Sequence, residues 1–228
     1  VDQAHAIFRE WDLYDRIGRG NHMRHREIAA ALRAALAARP GPLRVLDLGC
    51  GDGWMSRQVF AGCELSRFVG VDSSASALGR FAEGPGAVAP ETVHAPLAEA
   101  LRELPAGGFE VVHAGYVLHH YPTAARPPLL DDLARVLAPG GWFLWTDLVR
   151  DEGEDRDAYL ARSAASILAT WDALSEEERH ATVAHMAECD FPEPLSWMEG
   201  ELARRGVPRA EVLYRDAFYA ALRFVKVG

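Results

Sequence analysis

The sequence predicts an α/β protein built on a mostly parallel sheet with helices on both faces. Three observations carry that expectation. Between residues 43 and 148, short apolar runs alternate with helix-like segments, the pattern of parallel strands joined by helical crossovers. The runs fall at Leu43–Leu48, Phe68–Val71, Glu91–His94, Phe109–Gly115 and Trp142–Asp147, and their near-continuous apolar character suits strands buried on both sides. The last two strand-like runs, Ala210–Arg215 and Tyr219–Val227, are separated by very few residues. So short a connection joins antiparallel strands.

Helical stretches flank this block. Residues Val1 to Arg39 read as helix, with Ile28, Leu32 and Leu36 on one face, and Pro40-Gly41-Pro42 ends it. Inside the block the clearest helix is Ala124–Leu137, terminated by Ala138-Pro139-Gly140-Gly141. Residues Val149 to Gly206 are again helical and rich in charge. There Ser175 and the three glutamates after it form a helix start, a capping hydroxyl followed by first-turn acids. The charged run Arg150–Asp157 reads as a solvated connection.

Composition narrows the class. The 228 residues are 49% apolar and 25% charged, with a formal charge of −9. A net-acidic surface repels phosphate backbones and anionic lipid, so neither nucleic acid nor membrane is an expected partner. Cys50, Cys63 and Cys189 are odd in number and form no CxxC pair, which predicts reduced thiols rather than disulfides or a thiolate zinc site. No apolar run reaches the ~18 residues that span a bilayer. The segment VDQAHAIFREWDLYD has no signal-peptide core, and a cytoplasmic protein is expected.

Val45-Leu46-Asp47-Leu48-Gly49-Cys50-Gly51-Asp52-Gly53 is the segment most informative about function. An apolar strand enters alternating glycines, which permit a tight turn and close approach of a ligand to backbone. In open parallel sheets such loops sit at the carboxyl ends of the strands, where ligands bind. A dinucleotide fingerprint needs a small residue at its third glycine position, but Trp54 occupies it. Asp47 and Asp52 would also oppose a pyrophosphate, since like unit charges at ~4 Å repel by about 4 kcal/mol at an effective dielectric near 20. S-adenosylmethionine has no phosphate and carries an ammonium and a sulfonium, so these acids suit it. Val69-Gly70-Val71-Asp72 places a further carboxylate at the end of the second strand, where it can accept hydrogen bonds from ribose hydroxyls. Asp72 could alternatively cap the following helix, although Ser73 and Ser74 are better placed to do so.

These residues carry a resemblance. Asp47-Leu-Gly-Cys-Gly-Asp-Gly53 resembles motif I of the class I S-adenosylmethionine-dependent methyltransferases, and Asp72 resembles their ribose-binding acid. Ala114-Gly-Tyr-Val-Leu-His-His120 resembles the segment after their fourth strand, and Leu133-Ala-Arg-Val-Leu-Ala-Pro-Gly-Gly141 resembles the turn into their fifth. The resemblance spans residues 43–148 and the terminal hairpin. It implies a seven-stranded sheet of order 3-2-1-4-5-7-6 with strand 7 antiparallel, S-adenosylmethionine as cofactor and S-adenosylhomocysteine as product. The implied cofactor contacts are Asp47, Gly49, Cys50, Gly51, Gly53, Asp72, Ser73, Pro96, Leu97 and Gly115, with Tyr14 closing from a lid helix. Ala95-Pro96-Leu97 lacks the acid that many relatives place beside adenine, which leaves backbone contacts there.

The organisation then reads as a helical lid over 1–39, a Rossmann-like cofactor domain over 40–148 and 207–228, and a helical insert over 149–206 shaping the acceptor pocket. His119 and His120 are the candidate bases, because imidazole titrates near neutrality. Neighbouring residues rarely face the same way, so only one of the pair is expected in the pocket. Trp11, Tyr14, Trp171, Phe191 and Trp197 are candidate lining, while His180 and His185 are expected on the surface. His22 and His25 are one helical turn apart but lack accompanying ligands. Ala114 and Gly115 stand where metal-dependent catechol-type relatives place an Asp, so no metal is expected. The sequences typical of nucleic-acid amino-methyltransferases and protein arginine methyltransferases are absent. A small-molecule O- or N-acceptor is the leading reading, with C- and S-acceptors open, and the protein is expected as monomer or homodimer. A non-catalytic S-adenosylmethionine-binding protein and an NAD(P)-dependent oxidoreductase are the alternatives.

Overall fold

A computed structural model of the chain describes residues 11–81, 84–85 and 88–228. The Val1–Glu10 part of the expected lid and the side chain of Trp11 lie outside the described residues.

Seven strands form one sheet in the order β3-β2-β1-β4-β5-β7-β6. They are β1 (Leu43–Leu48), β2 (Leu65–Asp72), β3 (Glu91–His94), β4 (Phe109–Gly115), β5 (Leu137–Leu148), β6 (Arg209–Arg215) and β7 (Tyr219–Val225). All neighbouring pairs from β3 to β5 are parallel, and β7 is antiparallel to both β5 and β6. This is the architecture that the resemblance implies. The apolar runs of β1 and β4 are buried on both faces because one core layer lies on each side of the sheet. Val45 and Val111 join Ile28, Leu32 and Phe68 in one layer, and Leu46 and Val112 join Leu101, Leu130 and Phe143 in the other.

The N-terminal stretch is two helices, not one: α1 (Trp11–Arg19) and α2 (His25–Leu36). Asn21 and Arg24 adopt left-handed backbone between them. Asn21 fixes this break, because its side chain accepts the Arg26 N–H (2.8 Å) and donates to Glu27 (2.8 Å). Ile28, Leu32 and Leu36 are buried as the periodicity requires.

Within the block, α3 (Trp54–Val59), α4 (Ala75–Leu78), α5 (Leu97–Glu103) and α6 (Arg126–Val136) follow their strands. The turn expected at Ala138–Gly141 lies inside β5. Pairing with β4 jumps from Phe109–Leu137 to Val111–Trp142, so these residues bulge out of register. Lys226 explains how the helix can end without a separate loop: its ammonium donates to the Ala134 and Leu137 carbonyls, both at 2.7 Å.

The insert holds α7 (Arg156–Thr170), α8 (Glu176–Cys189) and α9 (Leu195–Ala203). Ser175 and Glu178 form the expected capping box. The run Arg150–Asp157 is largely exposed, as expected, and is tied down by ion pairs as well. Arg150 donates to the Pro192 carbonyl (3.1 Å) and Glu193 (2.8 Å), while Arg162 grips Glu154 at 3.0 and 2.9 Å. Its charges clamp the insert to the end of β5. No helix among the described residues is long and apolar enough to cross a membrane.

His25, 1% exposed at the start of α2, packs against Tyr116 (4.7 Å) and Trp54 (5.5 Å). Burial drives its pKa down from 6.5 to about 4, against a weaker upward pull from Glu27. The unfolded chain therefore takes up a proton in that interval which the native state refuses. The associated stability is complete above pH 6.5 and is lost as pH falls to about 4, a change of about 3 kcal/mol. His25→Leu is expected to remove most of that acid sensitivity, read as the difference in urea-unfolding stability between pH 7 and pH 4.5. An unchanged difference in the variant would refute this assignment.

Candidate active site

β1 delivers the chain into a loop whose glycines all have positive φ: 71° at Gly49, 56° at Gly51 and 74° at Gly53. A side chain is excluded at two of them by contact as well. A Cβ on Gly49 would sit 2.6 Å from Val117, and one on Gly53 would sit 2.0 Å from the Phe81 ring. The loop is held from the neighbouring strand. Gly49 and Cys50 N–H groups donate to the Val71 carbonyl at 2.8 and 3.1 Å. Asp72 closes β2 and accepts the Gly51 N–H on Oδ2 (2.9 Å) and the Ser74 N–H on Oδ1 (2.8 Å). The helix cap itself is Ser74, whose hydroxyl accepts the Ala77 N–H. Asp52 accepts the Trp54 N–H (2.8 Å) and so starts α3.

Not every expected contact residue turns its side chain to the crevice. Asp47 is 2% exposed and lies beneath the loop, accepting from Ser56 Oγ and paired with His113 Nδ1 at 2.8 Å. The Cys50 thiol is packed against Gly70, and burial, followed by Asp47 and Asp72, pushes its pKa up. The Leu97 side chain is buried in the core at the start of α5, directly after Pro96. What Cys50 and Leu97 can offer a ligand is backbone. Ser73 is exposed just past Asp72, with its carbonyl 3.1 Å from His94 Nε2.

Opposite the loop, β4 ends at Gly115, where a Cβ would meet the His113 ring at 3.0 Å. Tyr116 follows with φ of 55°, a strained conformation for an aromatic residue. It is held there by its N–H to Thr146 O (2.8 Å) and by its hydroxyl, which donates to the Met23 carbonyl. Tyr14 approaches from α1. Burial first, then Asp72, Asp52, Asp147 and Asp47, raise its phenol pKa, so it remains a donor among acids.

Tyr14 and Tyr116 also belong to a partly open cavity of about 80 Å³ whose apolar walls include Ile17, Ile167, Trp171 and Met186. Its polar wall is His119, His120, His185 and Asp190. Both members of the histidine pair therefore face the chamber, contrary to expectation, with ring centroids 3.9 Å apart. They lie on a 3-10 turn, Leu118–His120, that Asp147 pins in place. Asp147 accepts the His119 N–H (3.1 Å), pairs with His119 Nδ1, and accepts from Trp145 Nε1 (3.1 Å) and the Leu148 N–H (3.0 Å). The His119 carbonyl accepts the Phe191 N–H at 2.7 Å, which brings Asp190 alongside. Asp190 Oδ1 lies 3.6 Å from His119 Nε2 and 3.3 Å from His120 Nδ1.

Burial works to lower the His119 pKa, but Asp147 and Asp190 outweigh it and the net direction is up. Burial and the neighbouring His119 bring His120 down, and burial brings His185 down to about 4. His119, His120 and Asp190 also offer metal-ligating atoms within 4.8 Å of one another, a grouping away from the β4 end on which the expectation of no metal rested.

Other expectations need correction. His185 lines the chamber because the inner face of α8 turns it there, whereas His180 is exposed. Phe191 and Trp197 do not line it. Cationic side chains cover them instead, Arg156 over Phe191 (4.8 Å) and Arg126 over Trp197 (5.4 Å). Trp171 does line it, stacked on His22 at 4.9 Å. Sequence reasoning missed Asp147 and Asp190 as site residues. Asp147 had a usable signal, a carboxylate closing an apolar strand as Asp47 and Asp72 do; Asp190 had none.

Fold and loop together define a class I S-adenosylmethionine-dependent methyltransferase. The chain matches the family model described as a methyltransferase domain over residues 21–187, and it belongs to that family. It is 37% identical over 115 residues to a Synechocystis protein described as an uncharacterized methyltransferase, covering 50% of this chain and 51% of that one. It is 36% identical over 110 residues to a ubiquinone biosynthesis O-methyltransferase of Burkholderia ambifaria, covering 47% and 45%. The chain thus spans about half the length of the curated relatives it matches. Among solved structures, magnesium protoporphyrin IX methyltransferase from Synechocystis, with S-adenosylhomocysteine bound, superposes with TM-score 0.60 at 18% identity, covering 93% of this chain and 94% of that one. An S-adenosylmethionine-dependent methyltransferase from Mesorhizobium loti superposes with TM-score 0.59 at 21% identity, covering 86% and 96%. Membership of this family sets aside the oxidoreductase reading.

Asp72→Ala removes the acceptor for two backbone donors, and is expected to weaken S-adenosylhomocysteine binding at least tenfold, about 1.4 kcal/mol. Asp72→Asn, which keeps one carbonyl oxygen, should fall between variant and wild type by calorimetry. Wild-type affinity in Asp72→Ala would show that the carboxylate holds neither loop nor ligand.

Proposed function

We propose that the enzyme transfers the methyl group of S-adenosylmethionine to an O or N atom of a small molecule held in the chamber. Gly49–Gly53 would hold the cofactor through their backbone, with Asp72 at its ribose, Pro96 and Leu97 at its adenine, and Gly115 and Tyr116 at its methionine end. The acceptor's lone pair forms the new bond to the methyl carbon as the carbon–sulfur bond breaks, and that electron pair stays on sulfur as the neutral thioether. The leaving group is good, so the protein's work is to align the two reactants, which can supply up to ~7–11 kcal/mol. His119 and His120 stand where the acceptor's reactive end would lie, and we assign them to orienting it and assisting loss of its proton.

The observation that carries this reading is the junction at Tyr14 and Tyr116, which line the chamber: Tyr14 also feels the loop acids, and Tyr116 precedes Val117, which packs on Gly49. Chamber residues come from α1, α7, α8 and the ends of β5 and β7, which supports the division into lid (1–39), cofactor domain (40–148, 207–228) and insert (149–206). The chamber's walls are mostly apolar with a few convergent polar groups, the make-up of small-molecule sites. The name of the Burkholderia relative, an O-methyltransferase, favours oxygen. The formal charge of −9 disfavours nucleic acid, and free Cys50, Cys63 and Cys189 fit a reducing, cytoplasmic setting.

A panel of phenols, catechols and amines incubated with methyl-labelled S-adenosylmethionine is expected to give a methylated product and one S-adenosylhomocysteine per turnover. Ile167→Trp, which fills the chamber from α7, should cut that turnover at least tenfold while leaving S-adenosylhomocysteine affinity within about twofold. Undiminished turnover in the filled variant would remove the chamber from the reaction.

A further inference from the structure

The geometry points to a binding site for a first-row divalent transition ion such as Zn²⁺, formed by His119 Nε2, His120 Nδ1 and Asp190 Oδ1 and opening into the acceptor chamber. Its use would rest on the function proposed above; its existence does not.

Separation is the first argument. Hydrogen bonds between nitrogen and oxygen fall at ~2.7–3.2 Å. Two donors bound tetrahedrally to one ion at ~2.0–2.1 Å stand about 3.3–3.4 Å apart. Asp190 Oδ1 is 3.3 Å from His120 Nδ1 and 3.6 Å from His119 Nε2. Both spacings exceed the hydrogen-bond range and lie close to the edge of a metal tetrahedron. Asp190 Oδ1 is buried, in a residue only 5% exposed, with long contacts to the two imidazoles and no hydrogen bond of ordinary length. A buried carboxylate oxygen held only by long contacts is incompletely satisfied, and a coordinated cation would complete it.

Orientation is the second. A ligating histidine nearly always gives its other ring nitrogen to a carboxylate or carbonyl, which fixes the ring. His119 does so: Nδ1 is held by Asp147, itself fixed by Trp145 Nε1 and the Leu148 N–H, and Nε2 faces Asp190. The carboxylates of Asp147 and Asp190 together balance a dication.

Donor chemistry is the third. Two imidazoles and one carboxylate suit zinc and its first-row neighbours, whereas calcium and magnesium prefer oxygen. His185 stands near the cluster, its ring centroid 5.6 Å from that of His120. Three protein ligands leave a position open on the chamber side, the arrangement of catalytic rather than structural sites. An acceptor bearing a hydroxyl or amine could coordinate there, and that defines the substrate class as one with a metal-binding O or N.

The test uses the full chain, stripped with chelator and titrated with Co²⁺ alone. One equivalent is expected to bind with a visible d–d absorption band, and Asp190→Asn, which preserves volume, should weaken binding at least tenfold. S-Adenosylhomocysteine calorimetry on the same samples checks that the variant is folded. No cobalt band at tenfold excess in wild type, or equal affinity in Asp190→Asn, would overturn the site and leave a proton-bridged His119 between Asp147 and Asp190. Cobalt binding without any methyl transfer would uphold the site and count against the proposed function instead.

Discussion

Asp72 accepts one backbone donor from the glycine loop and one from the segment leading into α4, and the site depends on this double acceptance. A chain with three left-handed residues in five has turned its N–H groups inward, where they need acceptors close by. The Val71 carbonyl and the Asp72 carboxylate supply them. The consequences run across the sheet. Fixing Gly49 fixes the space for Val117, which sets the path of the chain leaving β4. That path places Tyr116 in its strained conformation and carries on into the turn bearing His119 and His120.

The electrostatics follow from the same arrangement. Asp47 is spent under the loop on Ser56 and His113, and Asp52 on starting α3, yet their charges remain near the crevice. Tyr14 registers them, since four carboxylates contribute to its raised pKa. A cationic ligand is favoured there and a pyrophosphate opposed. The chamber beyond is different, an apolar box with one wall of imidazole and carboxylate.

Local patterning made the sheet legible. Near-continuous apolar runs separated by turn residues marked β1 and β4 to the residue, and the short link before Tyr219 announced the antiparallel pair. The glycine loop was legible because its chemistry is contiguous: three glycines, two acids and a large Trp54 within eight residues. The chamber was not, because it is assembled from residues far apart in sequence. Nothing near Asp190 marks it as a neighbour of His119, 71 positions earlier in the chain; the Phe191 N–H to the His119 carbonyl does that only after folding. The rule that adjacent side chains diverge failed at His119 and His120 because Asp147 imposes a tight turn. Phe191 and Trp197 misled because an aromatic ring can be buried as well by a guanidinium as by a ligand.

A negative, phosphate-hostile loop selecting a cationic nucleoside is the property on which the site's assignment turns. Calorimetric titration of the purified protein with S-adenosylmethionine and, separately, with NADH tests it most directly. Saturable one-to-one binding of S-adenosylmethionine with no heat from NADH is the expected result. Uptake of NADH with indifference to S-adenosylmethionine would contradict it.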